Sequence, residues 1–413
     1  MEHQIKVVHI CTRIEGGAGL CASRIIRATR KNGVNARVLV ANGKKSDIID
    51  VVGVSYPWSR SWIIRKFQVI MSFMGRWPKS IRVLRNIENL KHKYPFKGVF
   101  TSPITLYTEI VNHPWVKEAD IIHLHWVGDF LDYPSFFVKI GKPVIWRIPD
   151  ENPGFGGFHY KTWKEQAPQE IRHLDDELMD VKEIAYNSAN NVTLVAISDT
   201  MCHFFQNNRL LSKFPYVKIH NGIESDSFTL LDKVECRHVL SIPIDAKVFL
   251  FVADSIDDNI KGLDKLISAL EKLRIPELLL ICMGNYTTIP NASYTIRCEG
   301  FVKNNRIQSI YYSAADYFVM SSIQESFGQT SLEAMVCGTP VVGYPVGIVP
   351  ELINDQNGVV CKDFTVESLA EGIKTAMKRK YDRERIRKEV IERFSYNRIA
   401  KQYVDLYESV VKK

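Results

Sequence analysis

The 413-residue chain has no uninterrupted apolar run approaching the ~18–20 residues that a membrane-crossing helix needs. None of its eight cysteines forms a C-x-x-C pair or has histidines at zinc-site spacing, so a structural zinc site is not expected. The thiols lie scattered in apolar stretches such as Leu280-Ile281-Cys282-Met283 and read as small buried hydrophobes in a reducing compartment. Met1-Glu2-His3-Gln4-Ile5-Lys6 enters a strand-like run at once, so no signal peptide is expected. Low-complexity tracts and repeats of solenoid period are lacking as well. Neither sign of charge dominates: 54 Lys+Arg stand against 46 Asp+Glu, a net +8 whose location matters more than its size.

What is present is an ordinary globular composition, 46% hydrophobic and 24% charged, long enough for two domains. Short apolar runs alternate with helical patterns. Lys6-Val7-Val8-His9-Ile10, Ala36–Val40, Ile121-Ile122-His123-Leu124-His125, Pro143–Trp146 and Asn191–Ala196 form one series. Val248–Val252, Leu278–Cys282, Tyr317–Met320 and Pro340–Gly343 form a second. Continuous apolar strands separated by helices imply parallel sheets covered on both faces. The expected fold is α/β, with two Rossmann-like domains facing a cleft. Residues 1–225 and 226–393 are the expected domains, and the 394–413 helix is expected to cross back to the first.

Residues 59–93 stand apart. Ile63, Phe67, Ile70, Met74, Trp77, Ile81 and Leu84 step by four and three, with Arg65, Lys66, Arg76, Lys79, Arg82 and Arg85 off that stripe. Pro78 should kink or divide the helix. Nine Lys/Arg and one acid lie between Arg60 and Lys93, which accounts for the whole net charge. Such a segment suits an anionic membrane surface. A core-facing helix with a solvated charged side explains the same pattern.

The densest chemistry lies in Gln324-Glu325-Ser326-Phe327-Gly328-Gln329-Thr330-Ser331-Leu332-Glu333, followed by Ala334-Met335-Val336-Cys337-Gly338-Thr339-Pro340-Val341-Val342. A strand should run into a loop here, with a helix starting near Thr330 or Ser331 and ending at Gly338. The free N–H groups of that helix start make an anion site. Glu325 and Glu333 beside a diphosphate would be repelled by it, so they are expected to accept from sugar or ribose hydroxyls. Merely solvated acids are the plain alternative.

Glu-x7-Glu followed by Ala-Met-x-x-Gly-Thr-Pro-Val-Val resembles the signature of retaining GT-B glycosyltransferases of family 4. The resemblance extends over essentially the whole chain. It implies that Glu325 contacts the donor sugar, Glu333 binds the nucleotide ribose, and the amides of Phe327 and Gly328 help hold the donor. Ser326, Gln329 and Thr330 belong to the same donor-binding stretch. Asn259-Ile260-Lys261-Gly262 resembles the family's Lys-Gly segment, whose lysine neutralises the diphosphate; the family's preceding arginine has no counterpart in Ala253–Asp258. Glu15-Gly16-Gly17-Ala18-Gly19 is not spaced G-x-G-x-x-G, which counts against a dinucleotide dehydrogenase. In the resembled family this loop brings a backbone N–H, here of Gly17, near the donor phosphate, with Gly16 near the acceptor.

His123 and His125 should point to the same side of their strand. Two histidines at i,i+2 suggest a metal, but no third ligand is evident in the sequence, and buried structural histidines are the ordinary alternative. The resemblance assigns His125 to the donor sugar. Trp146-Arg147-Ile148-Pro149-Asp150 and Gly156-Gly157-Phe158-His159-Tyr160 resemble a block of bacterial polysaccharide members. Pro149 replaces the usual histidine and Phe158 the cysteine, while Asp150 and His159 survive and should shape the acceptor site. Asn221-Gly222 resembles the family's turn at the domain junction.

No D-x-D spacing occurs, unlike the metal-dependent GT-A transferases. No metal or cofactor is therefore expected, with Lys261 and helix N–H groups acting on the diphosphate instead. The resemblance implies transfer from a nucleotide-diphosphate sugar with retained configuration. The leaving phosphate would assist deprotonation of the acceptor. The expected acceptor is a glycan, a lipid-linked intermediate of capsule, O-antigen or exopolysaccharide. The expected location is cytoplasmic, peripheral on the inner face of a bacterial plasma membrane; nucleic acid is not an expected partner. A GT-B epimerase, or a non-catalytic membrane- or nucleic-acid-binding protein on a transferase fold, is the competing reading.

Overall fold

The computed structural model describes residues 4–41, 51–53 and 79–412. The chain forms two compact units: Met1–Ile197 with Met201–Ile219 and Ala400–Lys413, and Ser198–Thr200 with His220–Ile399.

The first unit is built on strands β1 (Lys6–Ile10), β2 (Asn35–Val40), β3 (Val51–Gly53), β4 (Ile121–Leu124), β5 (Val144–Arg147), β6 (Val192–Ala196) and β7 (Tyr216–Lys218). They lie in the order β3-β2-β1-β4-β5-β6-β7, each pair parallel. All four residues of β4 and of β5 are buried, which is why these runs, His123 and Arg147 apart, are apolar rather than alternating. The second unit contains β8 (Lys247–Ser255), β9 (Leu278–Asn285), β10 (Thr295–Cys298), β11 (Tyr317–Met320), β12 (Val341–Gly343) and β13 (Gly358–Val360). Its order is β10-β9-β8-β11-β12-β13, again all parallel. The expected two-domain, parallel-sheet α/β fold is therefore the one observed. The last helix, Tyr396–Val411, contributes Tyr403 and Tyr407 to the first unit, both fully buried.

Of the basic segment 59–93, residues 59–78 lie outside the described residues, and so does the apolar stripe from Ile63 to Trp77. The helix Lys79–Lys93 is described. Its Val83, Ile87 and Leu90 side packs on a cluster formed by Phe100, Phe158, Ile171, Leu174 and Leu178. For this stretch the core-facing alternative is the correct one. The stripe drawn through Leu84 is offset by one residue from the face that packs, and Leu84 itself is half-buried. Among the described residues, no helix is long and apolar enough to cross a membrane. All eight cysteines are unpaired and seven of them are buried.

Candidate active site

In each sheet the strand order reverses beside the first strand of the unit, between β1 and β4 and between β8 and β11. The connections leave these two strands toward opposite faces, which opens a crevice at their carboxyl ends where ligands of such sheets bind. Of the residues singled out by sequence, Gly16, Gly17 and His125 lie on the segments leaving β1 and β4, Lys261 and Glu325 on those leaving β8 and β11, and Asp150 and His159 beyond β5.

In the second unit, Lys261 lies on the connection leaving β8 and Glu325 on the loop leaving β11. Lys261 Nζ meets Glu325 Oε1 at 2.6 Å, and Ser322 Oγ donates to the same oxygen at 3.1 Å. Burial works to lower the Lys261 pKa, but the Glu325 carboxylate and its hydrogen bond, with Asp258 and Asp254 behind it, leave it raised. The ammonium therefore stays charged. The two segments are laced together by Ile323 N–H to Ile260 O (2.8 Å) and by Ser321 Oγ to Lys261 O (3.1 Å). Such closeness requires Gly262. Its φ is +68°, and a Cβ there would lie 2.2 Å from the Ser321 carbonyl oxygen.

The helix of the motif spans Gln329–Val336, starting one residue before the expected Thr330 because Gly328, at φ +89°, serves as its N-cap. Gly328 has no side chain to cap it, and Ser331 N–H bonds back to Gly328 O at 3.1 Å, so the helix start presents the N–H groups of Gln329 and Thr330, the kind that anions bind. It ends before Gly338, which sits at φ +75° while Thr339 N–H reaches back to Ala334 O at 3.0 Å. Glu333, in the second turn, accepts from Tyr312 Oη at 3.1 Å. Ser326 and Phe327 are buried: the Ser326 carbonyl accepts from Ser198 Oγ (2.7 Å), and that of Phe327 from Ile348 N–H (2.7 Å). Gln329 Nε2 donates to Gly222 O at 3.1 Å, which ties the Asn221-Gly222 turn to the motif helix. The structure thus brings Lys261 and Glu325 into contact and sets Glu333 on the helix that follows. Tyr312 and Ser322 escaped the sequence reading, because nothing in their spacing relates them to the two acids.

In the first unit, the helix Gly16–Lys31 opens directly after β1, with no side-chain cap. A Cβ on Gly16 or Gly17 would meet nothing within 4 Å, so this helix start is open on that side. His125 follows β4, its N–H bonded to Ile10 O at 3.0 Å. The rings of His123 and His125 stack with centroids 4.2 Å apart, on one side of the strand as expected. A third histidine joins them. His9 on β1 is in register with His123, and its Nδ1 lies 2.9 Å from His125 Nε2. The sequence reading found no third ligand, because that register is invisible until the strand order is known.

One nitrogen from each of the three rings falls within 4.8 Å of the others, all buried. Burial pulls every one of these imidazoles below its usual range, His9 to about 3, and the Arg147 charge acts in the same direction on His123 and His125. Neutral imidazoles suit a metal. The buried Arg147 guanidinium acting on His123 and His125 would oppose a divalent ion there, however.

Asp150 and His159 are brought together. His159 Nδ1 lies 2.8 Å from Asp150 Oδ2, which also accepts from Trp126 Nε1 at 2.9 Å. His159 Nε2 lies 3.0 Å from Thr101 Oγ1. A carboxylate only accepts, so Nδ1 carries the proton and, in the neutral ring, Nε2 accepts from Thr101. The intervening loop rests on two buried charges of the helix Gln169–Asn187. Asp175 Oδ1 accepts from Gly157 and Phe158 N–H at 2.6 and 3.0 Å, and Lys182 Nζ donates to Asn152 O and Phe155 O at 2.7 Å each. Neither was singled out by sequence, where both look like ordinary helix-surface charges.

Comparison with known proteins bears on both units. Residues 232–393 match the family described as glycosyl transferases group 1. An uncharacterized glycosyltransferase of Methanocaldococcus jannaschii is 28% identical over 320 residues, 71% of this chain and 76% of that one. Among solved structures, sucrose-phosphate synthase from Thermosynechococcus elongatus superposes with a TM-score of 0.68 at 16% identity, covering 98% of this chain and 99% of that one. The Anabaena protein HepE in complex with UDP and glucose superposes with a TM-score of 0.65 at 17% identity, covering 98% and 100%. The second unit thus carries a group 1 glycosyl transferase match, on a chain with the two-domain, parallel-sheet fold of GT-B glycosyltransferase structures.

Proposed function

We propose that the protein is a retaining glycosyltransferase that moves a sugar from a nucleotide-diphosphate sugar to a glycan acceptor, without a metal or other cofactor. The observation that carries this reading is the Lys261–Glu325 pair at the β8/β11 crevice, beside an uncapped helix start that bears Glu333. A diphosphate seated there would be neutralised by Lys261 and by the N–H groups that follow Gly328. Glu325 would accept from hydroxyls of the transferred sugar, and Glu333 from the ribose, already oriented by Tyr312. Ser326, Phe327, Gln329 and Thr330 would line the donor. His125 and Gly17 of the first unit are assigned to the donor as well.

The reaction breaks the bond from the anomeric carbon to the phosphate oxygen and forms one to the acceptor oxygen. The acceptor proton passes to the departing phosphate on the same face of the sugar. The HepE complex with UDP and glucose supports the choice of donor class by likeness of fold. Gly16, Asp150 and His159 are assigned to the acceptor. A lipid-linked acceptor of cell-envelope polysaccharide, met at the inner face of the membrane, agrees with the basic residues of 59–93. Because Val83, Ile87 and Leu90 face the core, lipid contact is assigned to residues 59–78.

The test is a panel of nucleotide sugars scored by thermal shift and by mass spectrometry of products, with Lys261→Met and Glu333→Ala as controls. One donor should stabilise the protein and yield an α-linked product from an α-linked donor. Turnover should fall by about 10²–10³ in Lys261→Met, the size of effect seen when one transition-state charge partner is removed. Inverted product, or wild-type turnover in both variants, would refute the assignment.

A further inference from the structure

The polar atoms of Asp150 and His159 are already engaged within the first unit. Asp150 Oδ2 takes Trp126 Nε1 and His159 Nδ1, and its Oδ1 accepts from Asn152 N–H at 3.0 Å. His159 Nε2 is held by Thr101. The residue after Thr101 continues this linkage: Ser102 N–H donates to Asp129 Oδ1 at 2.7 Å. Asp129 is exposed, and its Oδ2 has no hydrogen-bond partner among the described residues. Its carboxylate lies within electrostatic reach of His159 and Lys91. We propose that Asp129 is an acceptor-binding residue whose Oδ2 accepts a hydroxyl of the glycan acceptor, while Asp150 and His159 hold the segment that positions it. The proposal rests on the assignment of Asp150 and His159 to the acceptor above.

The backbone sets Asp129 apart from an ordinary loop aspartate. Phe130 N–H returns to Val127 O at 3.2 Å, and Asp129 is the third residue of that turn, with φ +55°, a conformation that favours glycine. Three other non-glycine residues among the described ones have positive φ. Ser241 follows the helix Lys233–Val239 and Arg274 ends the helix Leu263–Leu273, where left-handed backbone is a usual termination. Glu277 directly precedes β9. Asp129 alone of the four lies beyond the carboxyl end of a strand, β4, the end at which ligands of parallel sheets bind. Strained backbone concentrates at such sites. Asp132, three residues further on, is the contrast within the same loop. Its φ is −81°, its side chain is buried, and its two oxygens accept from the N–H groups of Thr105 at 2.9 Å and Ser135 at 3.1 Å. That carboxylate is fully occupied in holding the loop. Asp129 uses one oxygen in the same way and leaves the other open. A carboxylate only accepts, so its ligand must bring a donor, as the hydroxyls of a glycan do.

Asp129→Asn separates this role from a merely structural one. Asparagine tolerates the positive φ, and its amide oxygen still accepts from Ser102 N–H, so the turn is kept. The amide NH2 then stands where Oδ2 did, a donor in place of an acceptor. Saturation-transfer difference NMR of the full chain with a set of para-nitrophenyl glycosides requires no nucleotide sugar. The wild type should bind at least one glycoside, and Asp129→Asn should weaken that binding about 10-fold or more, as expected for loss of a charged hydrogen bond. With the donor found in the screen above, the acceptor KM should rise to the same extent, while the donor KM stays within about 2-fold of wild type. Asp132→Asn is the structural control: it should lower Tm clearly, whereas Asp129→Asn should leave Tm within about 2 °C of wild type. Wild-type glycoside binding in Asp129→Asn, no glycoside bound by the wild type, or a loss accompanied by a fall in Tm like that of Asp132→Asn would overturn the proposal. Glycoside binding that depends on Asp129 in a protein that turns over no nucleotide sugar would instead refute the transferase reading and leave the Asp129 site standing.

Discussion

Lys182 gives the sharpest quantitative expectation. It lies on the inner side of the helix Gln169–Asn187, fully buried, with its Nζ 5.1 Å from the centre of the Tyr133 ring. Its nearest partners are carbonyls, and among the described residues no carboxylate bonds to it directly. Burial pulls its pKa down to about 7, against the opposing pull of Asp175 and Asp150. In the unfolded chain the same group titrates near the ordinary lysine value of about 10.4. Between those values the unfolded chain binds one proton more than the folded protein, so stability must rise with pH across that window. Below about 7 both forms are charged, and the cost of burying the cation is felt in full. One proton of difference amounts to about 1.4 kcal/mol per pH unit. From about pH 7.5 to about pH 9 the wild type should gain roughly 2 kcal/mol from this group alone. Urea denaturation of the wild type and of Lys182→Met at both pH values isolates the term, because every other titration cancels between the two proteins. The stability gap should widen in favour of the wild type by that amount. A gap that stays constant, or narrows, would mean that Lys182 remains charged throughout, and the lowering of its pKa by burial would be refuted.

Two further substitutions probe the proposed donor site. Gly262→Ala adds a methyl 2.2 Å from the Ser321 carbonyl at a left-handed φ, so it should cost roughly 2–4 kcal/mol in urea denaturation and displace Lys261; a loss below ~0.5 kcal/mol would contradict the close approach. Tyr312→Phe removes the hydroxyl that orients Glu333 and should cost about 1 kcal/mol of stability. It should raise the donor KM several-fold while leaving kcat nearly unchanged, because the ribose lies away from the reacting carbon; steady-state kinetics over a range of donor concentrations separates the two.

The central strands were legible because a strand covered on both faces needs an apolar run, and β1, β2, β4, β5, β6, β8, β9, β11 and β12 each supply one. The four strands the sequence reading did not resolve, β3, β7, β10 and β13, are the four sheet edges. An edge strand is short and half-covered: Tyr216–Lys218 is only partly buried, and Thr295–Cys298 has no fully buried residue. Their apolar signal is correspondingly weak. Of the residues assigned to the proposed donor site, Lys261, Glu325 and Glu333 stand out in the sequence because a family-like motif surrounds each. His9 does not, since a histidine in an apolar strand reads as core until its register with His123 is known. Lys79–Lys93 shows the converse: amphipathic spacing announces a buried face without saying whether protein or lipid covers it, and here Ile87 settles it for that helix.

At the proposed donor site a diphosphate and Glu325 compete for one cation, Lys261. Glu325 neutralises Lys261 in the free protein, yet a diphosphate needs that same cation, and Ala253–Asp258 supplies no second one but Asp254, Asp257 and Asp258. Seating the donor must therefore lengthen the 2.6 Å contact, so that Lys261 turns to phosphate while Glu325 takes sugar hydroxyls. A nucleoside diphosphate without its sugar breaks the pair but offers Glu325 nothing in return. Glu325→Gln removes that penalty. It should bind a free nucleoside diphosphate more tightly than the wild type, by about 3- to 10-fold for a partly solvated charge pair. Turnover of the nucleotide sugar should fall in the same variant, because the sugar loses its charged acceptor. Isothermal titration with the diphosphate of the matching base measures the first effect, and product formation the second. If affinity for the diphosphate falls together with turnover, Glu325 supports the phosphate site instead of competing for it. The exchange of partners at Lys261 would then be wrong.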